Sequence, residues 1–209
     1  AQQLEFLAVM ADSMGTSSHL TYLQSLLAWR QARDAAKQEA LIDEALAQQR
    51  AEGDDPAARA DSVYGILVRL NPAQMLDMAR QLLQHCGTEP LDAATSEPSA
   101  LRKAQAILEE LTRHAPGSLE AQLMLARARF VGNDAAGARS AVHKCIDLAP
   151  AYAAAHLLLA QIALTQDNFS MASQSLEQAV SSDFDLAKTS VAYKIIKAKV
   201  HFALDQHDE

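Results

Sequence analysis

The sequence has few of the residues that build strands, tight turns and covalent cross-links. Aromatic residues occupy 5% of its 209 positions, and it contains seven glycines, six prolines and two cysteines. Aromatic side chains favour strands, whereas alanine and leucine, which dominate the 49% of hydrophobic residues, favour helices. The composition therefore predicts an all-α protein. Two cysteines are too few for a disulfide scaffold, and we expect Cys86 and Cys145 to be ordinary thiols of a reducing compartment.

Positive charge and long apolar runs are also lacking. The net charge is -8, whereas nucleic-acid binding needs clustered lysine and arginine to displace counterions. No stretch approaches 18 consecutive apolar residues, so the sequence predicts no transmembrane segment, and no direct lipid contact is expected. The chain begins without methionine or a signal pattern. We therefore expect it to be a segment of a longer protein.

A 34-residue period is the strongest pattern that the sequence does contain. Pro116 and Pro150 are 34 residues apart, and each ends a helical pattern. Aligned on these prolines, residues 119–150 and 153–184 carry matching small and apolar residues. Such a period is typical of stacked helix pairs, because one pair cannot bury its apolar face alone. The residues predicted to pack between helices are Leu125, Ala126, Ala138, Val142, Cys145, Pro150, Leu159, Ala160, Ala172, Leu176 and Ala179.

The spacing resembles the tetratricopeptide repeat. That repeat has small residues at slots 8, 20 and 27, where helix backbones approach closely, and a proline at slot 32. With Leu119 and Ala153 counted as slot 1, this sequence departs from the consensus at slot 4, where Gln122 and His156 replace an aromatic residue. The predicted fold is an all-α, tetratricopeptide-repeat α-solenoid in which antiparallel helix pairs stack into a superhelix, as a fragment of a longer array.

The period also predicts how the chain is organised. We expect degenerate tetratricopeptide-like hairpins over residues 1–86, an inserted surface loop over 87–99 and well-formed repeats over 100–184. The first helix of a following repeat is expected over 185–209. The predicted hairpin helices of the first part are 18–31, 34–50, 56–70 and 73–86.

No pattern typical of catalysis or metal binding accompanies the repeats. None of the seven histidines stands in an HExxH motif or at ligand spacing from a cysteine. His143 and Cys145 are two positions apart on a predicted helix and so face different directions. Residues 132–137 contain two glycines but lack the Lys-Ser/Thr of a phosphate loop. The sequence predicts no enzymatic activity, no metal and no cofactor.

A partner-binding groove is the functional surface that the repeats suggest. In tetratricopeptide arrays the first helix of each pair lines the concave face, and slots 2, 5, 9 and 12 point towards it. These slots carry no Lys or Asn here, which favours a partner helix or an extended segment over a charged peptide tail. Alternatively, neighbouring helices of the same solenoid cover this surface. The candidate groove residues are Leu123, Arg127, Phe130, Leu157, Gln161 and Leu164.

Four lysines lie close together near the end of the chain, at Lys188, Lys194, Lys197 and Lys199. Runs of like charge usually form a solvated helix face, and that interpretation is favoured here. The alternative is that they contact an acidic partner helix or a lipid headgroup.

Several stretches resemble one family in the order in which they occur. "LLAWRQ" at 26–31, "LNPAQMLDMARQLL" at 70–83, "ILEELTRHAPGSLEAQLMLARARFVGND" at 107–134 and "YKIIKAK" at 193–199 are similar to blocks of the tetratricopeptide repeat protein 21 family. "HLLLAQIALTQDNFSMASQSLEQAVSSDF" at 156–184 is the most specific, because "NFSMASQSLE" goes beyond what the repeat consensus requires.

The resemblance implies a role in cilia. It implies a non-enzymatic subunit of the intraflagellar transport A complex that supports retrograde transport and the entry of membrane-protein cargo. The implied partners are other subunits of that complex and neighbouring components of the train. The implied location is cytoplasmic and ciliary or flagellar, on axoneme-associated transport trains and at the basal body. Two alternatives remain, a generic soluble tetratricopeptide adaptor of a chaperone or degradation pathway and a regulatory domain associated with an enzyme.

Overall fold

The computed structural model describes residues 9, 17–53, 70–92 and 94–205. All regular structure within these ranges is α-helical, which confirms the predicted all-α fold. The predicted helix over 56–70 lies outside the described residues except for its last position. The helices are α1 (Ser18–Ala32), α2 (Ala35–Gly53), α3 (Pro72–Leu83), α4 (Ser99–His114), α5 (Leu119–Val131), α6 (Ala135–Leu148), α7 (Ala153–Thr165), α8 (Phe169–Ser182), α9 (Phe184–Thr189) and α10 (Val191–Asp205).

Neighbouring helices pack as hairpins, and the hairpins stack. Helix α1 packs on α2, α3 on α4, α5 on α6 and α7 on α8. The hairpins α5–α6 and α7–α8 each pack against the one before, because α5 contacts α4 and α7 contacts α6. Helix α10 extends the stack through contacts with α7 and α8. This is the arrangement of an α-solenoid, in which each unit buries its apolar face against its neighbours.

The turns inside the two repeat hairpins have the same geometry. Asn133 and Asp167 adopt left-handed backbone conformations, with φ angles of 63° and 54°. The next residues, Asp134 and Asn168, cap helices α6 and α8. Each side-chain oxygen accepts a hydrogen bond from the backbone N–H three residues on, at 2.8 and 3.1 Å. These caps satisfy N–H groups that the first helical turn leaves unpaired, and they start the second helix of each hairpin at the same slot.

The two polar residues at slot 4 also make equivalent contacts. Nε2 of Gln122 donates a hydrogen bond to the carbonyl oxygen of Pro116 at 3.4 Å. Nε2 of His156 lies 2.8 Å from the carbonyl oxygen of Pro150. Both side chains are buried, so these hydrogen bonds offset part of the cost of placing polar groups in the core, while Oε1 of Gln122 makes no hydrogen bond. A departure from the aromatic consensus thus ties each first helix to the turn before it.

The residues predicted to pack between helices are buried in the described structure, with one exception. Pro150 is exposed, and its contribution is the carbonyl oxygen that faces His156. The alanines have no exposed surface, so the helix backbones approach closely at their positions. The buried members are Leu125, Ala126, Ala138, Val142, Cys145, Leu159, Ala160, Ala172, Leu176 and Ala179.

Replacing Ala160 with leucine is expected to destabilise the chain by about 1–3 kcal/mol, because overpacking forces side chains and backbone out of position. Ala160 lies in a cluster with Ala172, Leu176 and Ile196 and has no exposed surface. Urea unfolding followed by circular dichroism measures the change. The matched control is Ala198→Leu on the exposed side of α10, which should stay within about 0.5 kcal/mol. Equal effects of the two variants would contradict the helix register described above.

One cluster of buried side chains joins the N-terminal hairpins to the repeats. It includes Tyr22 of α1, Ile42 of α2, Met75 of α3, Leu108 of α4 and Leu125 of α5. Because one core runs across these elements, the range 87–99 does not separate two cores within the described residues.

Polar contacts reinforce the junction between α2 and the second hairpin. Nζ of Lys103 lies 2.7 Å from Oε1 of Glu39. At the end of α3, Nε2 of His85 lies 2.7 Å from Oε1 of Gln38, and its ring packs edge-on against Trp29 with centroids 4.4 Å apart. Burial lowers the pKa of His85, against the opposing effect of Glu39.

The C-terminal range predicted as one helix is divided into two. Helix α9 ends at Thr189, and α10 begins at Val191. Between them, Oγ of Ser190 accepts a hydrogen bond from the backbone N–H of Tyr193 at 3.3 Å. This is the geometry of an N-cap, so α10 starts a few residues later than the 34-residue period predicts.

Candidate interaction surface

A cavity of about 280 Å³ lies where the first helices of successive hairpins meet. Helices α5, α7 and α10 line it, together with the segment that follows α3. Four of the candidate groove residues line this cavity, namely Arg127, Phe130, Gln161 and Leu164. They come from slots 9 and 12 of two successive repeats. We call this cavity the concave groove.

The six candidate residues differ in how much surface they offer. Arg127 is exposed, and Gln161 and Leu164 are half-buried. Phe130 is only 2% exposed and belongs to a core cluster, so it forms the floor of the groove.

The two candidates at slot 5 pack into the cores. Leu157 is 8% exposed and packs in the cluster formed with Ala160 and Ile196. Leu123 is half-buried and packs against the cluster that contains Phe130. Slot 5 therefore serves mainly the core, and the accessible candidates are Arg127 and Gln161 at slot 9 and Leu164 at slot 12.

The segment between α3 and α4 forms one wall of the groove. Thr88 and Glu89 line the cavity, and Nε2 of Gln161 donates a hydrogen bond to the carbonyl oxygen of Thr88 at 3.4 Å. The backbone N–H of Leu91 donates to the carbonyl oxygen of Val131 at 2.8 Å. The range expected to be a surface loop thus contacts two first helices that follow it in the sequence.

The clustered lysines of α10 have different surroundings. Lys199 lines the concave groove. Lys197 lies over the ring of Tyr193, with Nζ 5.8 Å from the ring centroid, beside a second cavity between α8 and α10. Lys194 is exposed, and the side chain of Lys188 lies outside the described residues. The three described lysines are therefore all exposed, but Lys197 and Lys199 border different cavities.

Two cations and one carboxylate surround the groove. Arg127 and Lys199 are exposed, as is Glu89. Within the described residues, the ion pairs of the chain lie elsewhere, and none joins Arg127 or Lys199 to a carboxylate. The apolar floor is formed by Phe130 and Leu164 together with the isoleucines of α10. The groove is thus apolar inside and positive on balance at its rim, in a chain of net charge -8.

Sequence reasoning missed the contributions of α10 and of the loop. Ile195, Ile196 and Lys199 line the groove, and Ile195 stands 34 residues after Gln161, at slot 9 of the following repeat. The period therefore carries a signal for Ile195 but not for Ile196 or Lys199, which lie outside the slots that face the groove. Thr88 and Glu89 reach it through contacts with residues far along the chain. A local sequence pattern does not indicate contacts between residues that are so far apart in the chain.

The structure also bears on metal binding, on the reactivity of Cys145 and on membrane crossing. In the part of the chain that the structure describes, no three His, Cys, Asp or Glu side chains are grouped so as to hold a metal ion. Burial raises the pKa of the Cys145 thiol to about 11, which keeps it protonated at neutral pH and unreactive. Across the same described ranges, the helices are too short or too polar to cross a membrane.

Stacked helix pairs with a partly apolar concave groove define an α-solenoid of the kind that serves as a scaffold for protein–protein interaction. A family model described as the tetratricopeptide repeat protein 21 second ARM domain matches residues 1–167. The chain belongs to the tetratricopeptide repeat protein 21 family.

Relatives of this family match nearly the whole chain. Tetratricopeptide repeat protein 21B of Mus musculus is 30% identical over 200 residues, and that of Homo sapiens is 31% identical over 201. The Xenopus laevis protein of the same name is 32% identical over 203 residues. Each alignment covers 95% of this chain and 15% of the relative, so the chain spans about a seventh of the length of these relatives. A crystal structure of MamA protein aligns with 78% of this chain and 84% of its own, at a TM-score of 0.49 and 18% identity.

Proposed function

We propose that this chain is a scaffold segment of an intraflagellar transport A subunit that supports retrograde transport and ciliary cargo entry. The observation that carries the proposal is the family match, which extends through both the N-terminal hairpins and the repeats. In this role the segment is non-enzymatic, and it acts on transport trains in the cytoplasm and cilium.

The concave groove is the proposed contact with other subunits of that complex or with neighbouring components of the train. Leu164 and Ile195 leave apolar surface accessible beside exposed polar groups, which is the composition of a site that takes a partner segment. The convex side differs, because its cavity between α4, α5 and α6 is crossed by the ion pair of Arg129 and Glu109 at 2.9 Å.

A bulky substitution in the groove tests this role in ciliated cells. Cells lacking the protein are rescued with the full-length chain carrying Gln161→Trp, which places an indole ring in the cavity without touching a core position. We expect partner subunits to co-purify less well and transport particles to accumulate at ciliary tips. The measurements are co-purification and the velocity of retrograde particles.

The matched control is Gln178→Trp, which adds the same side chain at an exposed position of α8. The control should rescue transport fully. Full rescue by Gln161→Trp would show that the proposed function does not depend on the groove. Co-purification of the unmodified protein with chaperones or degradation factors, without transport subunits, would instead support the general adaptor role.

A further inference from the structure

We infer that the concave groove recognises a partner segment in which a single carboxylate side chain stands beside one or two large apolar side chains. This inference rests on the proposed function of the groove and specifies the chemistry of its occupant.

The charge argument begins with two cations that the fold brings together. Arg127 belongs to α5 and Lys199 to α10, yet both line one cavity of about 280 Å³. Both side chains are exposed, and within the described ranges neither pairs with a carboxylate. A partner that covers the groove removes water from these like charges, which is costly unless the partner supplies an anion. A carboxylate is the protein group that accepts hydrogen bonds from both arginine and lysine.

The charge of the rim also limits how many acidic residues the partner segment carries. Glu89 lies on the same cavity and faces it from the loop wall. It would repel a long acidic run, whereas one carboxylate near Arg127 and Lys199 leaves the rim close to neutral. The chain as a whole has a net charge of -8, so a strongly acidic partner would also be repelled at longer range.

The apolar floor specifies the rest of the segment. Phe130 and Ile196 form its buried base, whereas Leu164 and Ile195 present the apolar surface that a partner would cover. Burying that surface would contribute most of the affinity. The volume of about 280 Å³ falls just below the range of about 300–1,000 Å³ typical of pockets for drug-sized ligands. Such a space accepts one or two large side chains rather than the whole face of a helix.

A photo-crosslinking experiment on the assembled complex tests this chemistry. The photoreactive residue p-benzoylphenylalanine replaces Thr165, an exposed residue at the edge of the groove, in the full-length chain expressed in ciliated cells. Mass spectrometry identifies the segment that becomes attached after illumination. The same measurement is made with the double reversal Arg127→Glu and Lys199→Glu, and with the control Arg102→Glu and Lys194→Glu. The control changes the same charge at exposed positions outside the groove.

We expect attachment to another subunit at a segment with an aspartate or glutamate within one helical turn of large apolar residues. The groove reversal should reduce attachment on the order of tenfold, which corresponds to about 1.4 kcal/mol, and the control should leave it unchanged. Changing the partner's carboxylate to lysine should restore attachment to the reversed groove.

The possible contrary results separate the inference from the function on which it rests. Attachment to another subunit that lacks such a carboxylate, or that is insensitive to the groove reversal, would overturn the inference and leave the groove's role in assembly intact. Attachment only to other helices of the same chain or to a second copy of it, or no attachment at all, would overturn both.

Discussion

Truncating Phe130 to alanine is expected to lower the free energy of unfolding by about 3–5 kcal/mol. The side chain is 2% exposed and packs against Ala126, Leu158 and Ile162 in a core shared by successive hairpins. Its removal leaves a cavity that the backbone of a stacked repeat closes only in part. Chemical denaturation of the 209-residue chain, followed by circular dichroism, measures the loss.

The matched control for this prediction is Phe202→Ala. Phe202 lies on α10 with 66% of its surface exposed, so the same truncation should change stability by no more than about 0.5 kcal/mol. If Phe130→Ala left stability unchanged, the residue would be a free groove contact, as the repeat slots alone suggest. The comparison therefore decides whether slot 12 of the first repeat serves the core or a partner.

Truncating Leu108 to alanine is expected to cost about 2–5 kcal/mol, because Leu108 has no exposed surface. It lies in the cluster that joins the N-terminal hairpins to the first helix of the repeats. Loss of this side chain should therefore weaken helices on both sides of the 84–98 segment. Hydrogen exchange measured by mass spectrometry should show faster exchange in α3 and α5 together.

Leu148→Ala provides the control, since Leu148 is 50% exposed at the end of α6. It should leave the exchange of α3 and α5 unchanged and alter stability by no more than about 0.5 kcal/mol. Faster exchange confined to one side of the 84–98 segment in Leu108→Ala would show that the two parts do not share one core.

Most of the fold follows from the 34-residue period, because the residues that recur with it form the contacts within each helix pair and between neighbouring pairs. Ala126 and Ala160, 34 positions apart, occupy the same close contact between helices. Asp134 and Asn168 form the same cap. These features recur at the same positions of successive units, so the period carries a signal for them. The features that form the groove, by contrast, depend on contacts between residues that are far apart in the sequence.

Two of those distant contacts show why the groove was only partly predictable. The carbonyl of Thr88 meets Gln161 because the loop after α3 folds back over two later helices. Lys199 reaches the groove from the second half of α10, one position beyond slot 12 of the following repeat. The position of Phe130 at slot 12 predicts a surface residue, whereas in the structure its aromatic ring fills the space between two hairpins.

The central claim is that the concave groove holds a segment of another protein. A cryo-electron microscopy map of the intact assembly at side-chain detail tests this claim most directly. We predict density from a different subunit between α5, α7 and α10, with a large side chain above Phe130 and a carboxylate near Arg127 and Lys199. A groove that is empty in the assembled complex, or that is filled by helices of the same chain, would contradict the claim.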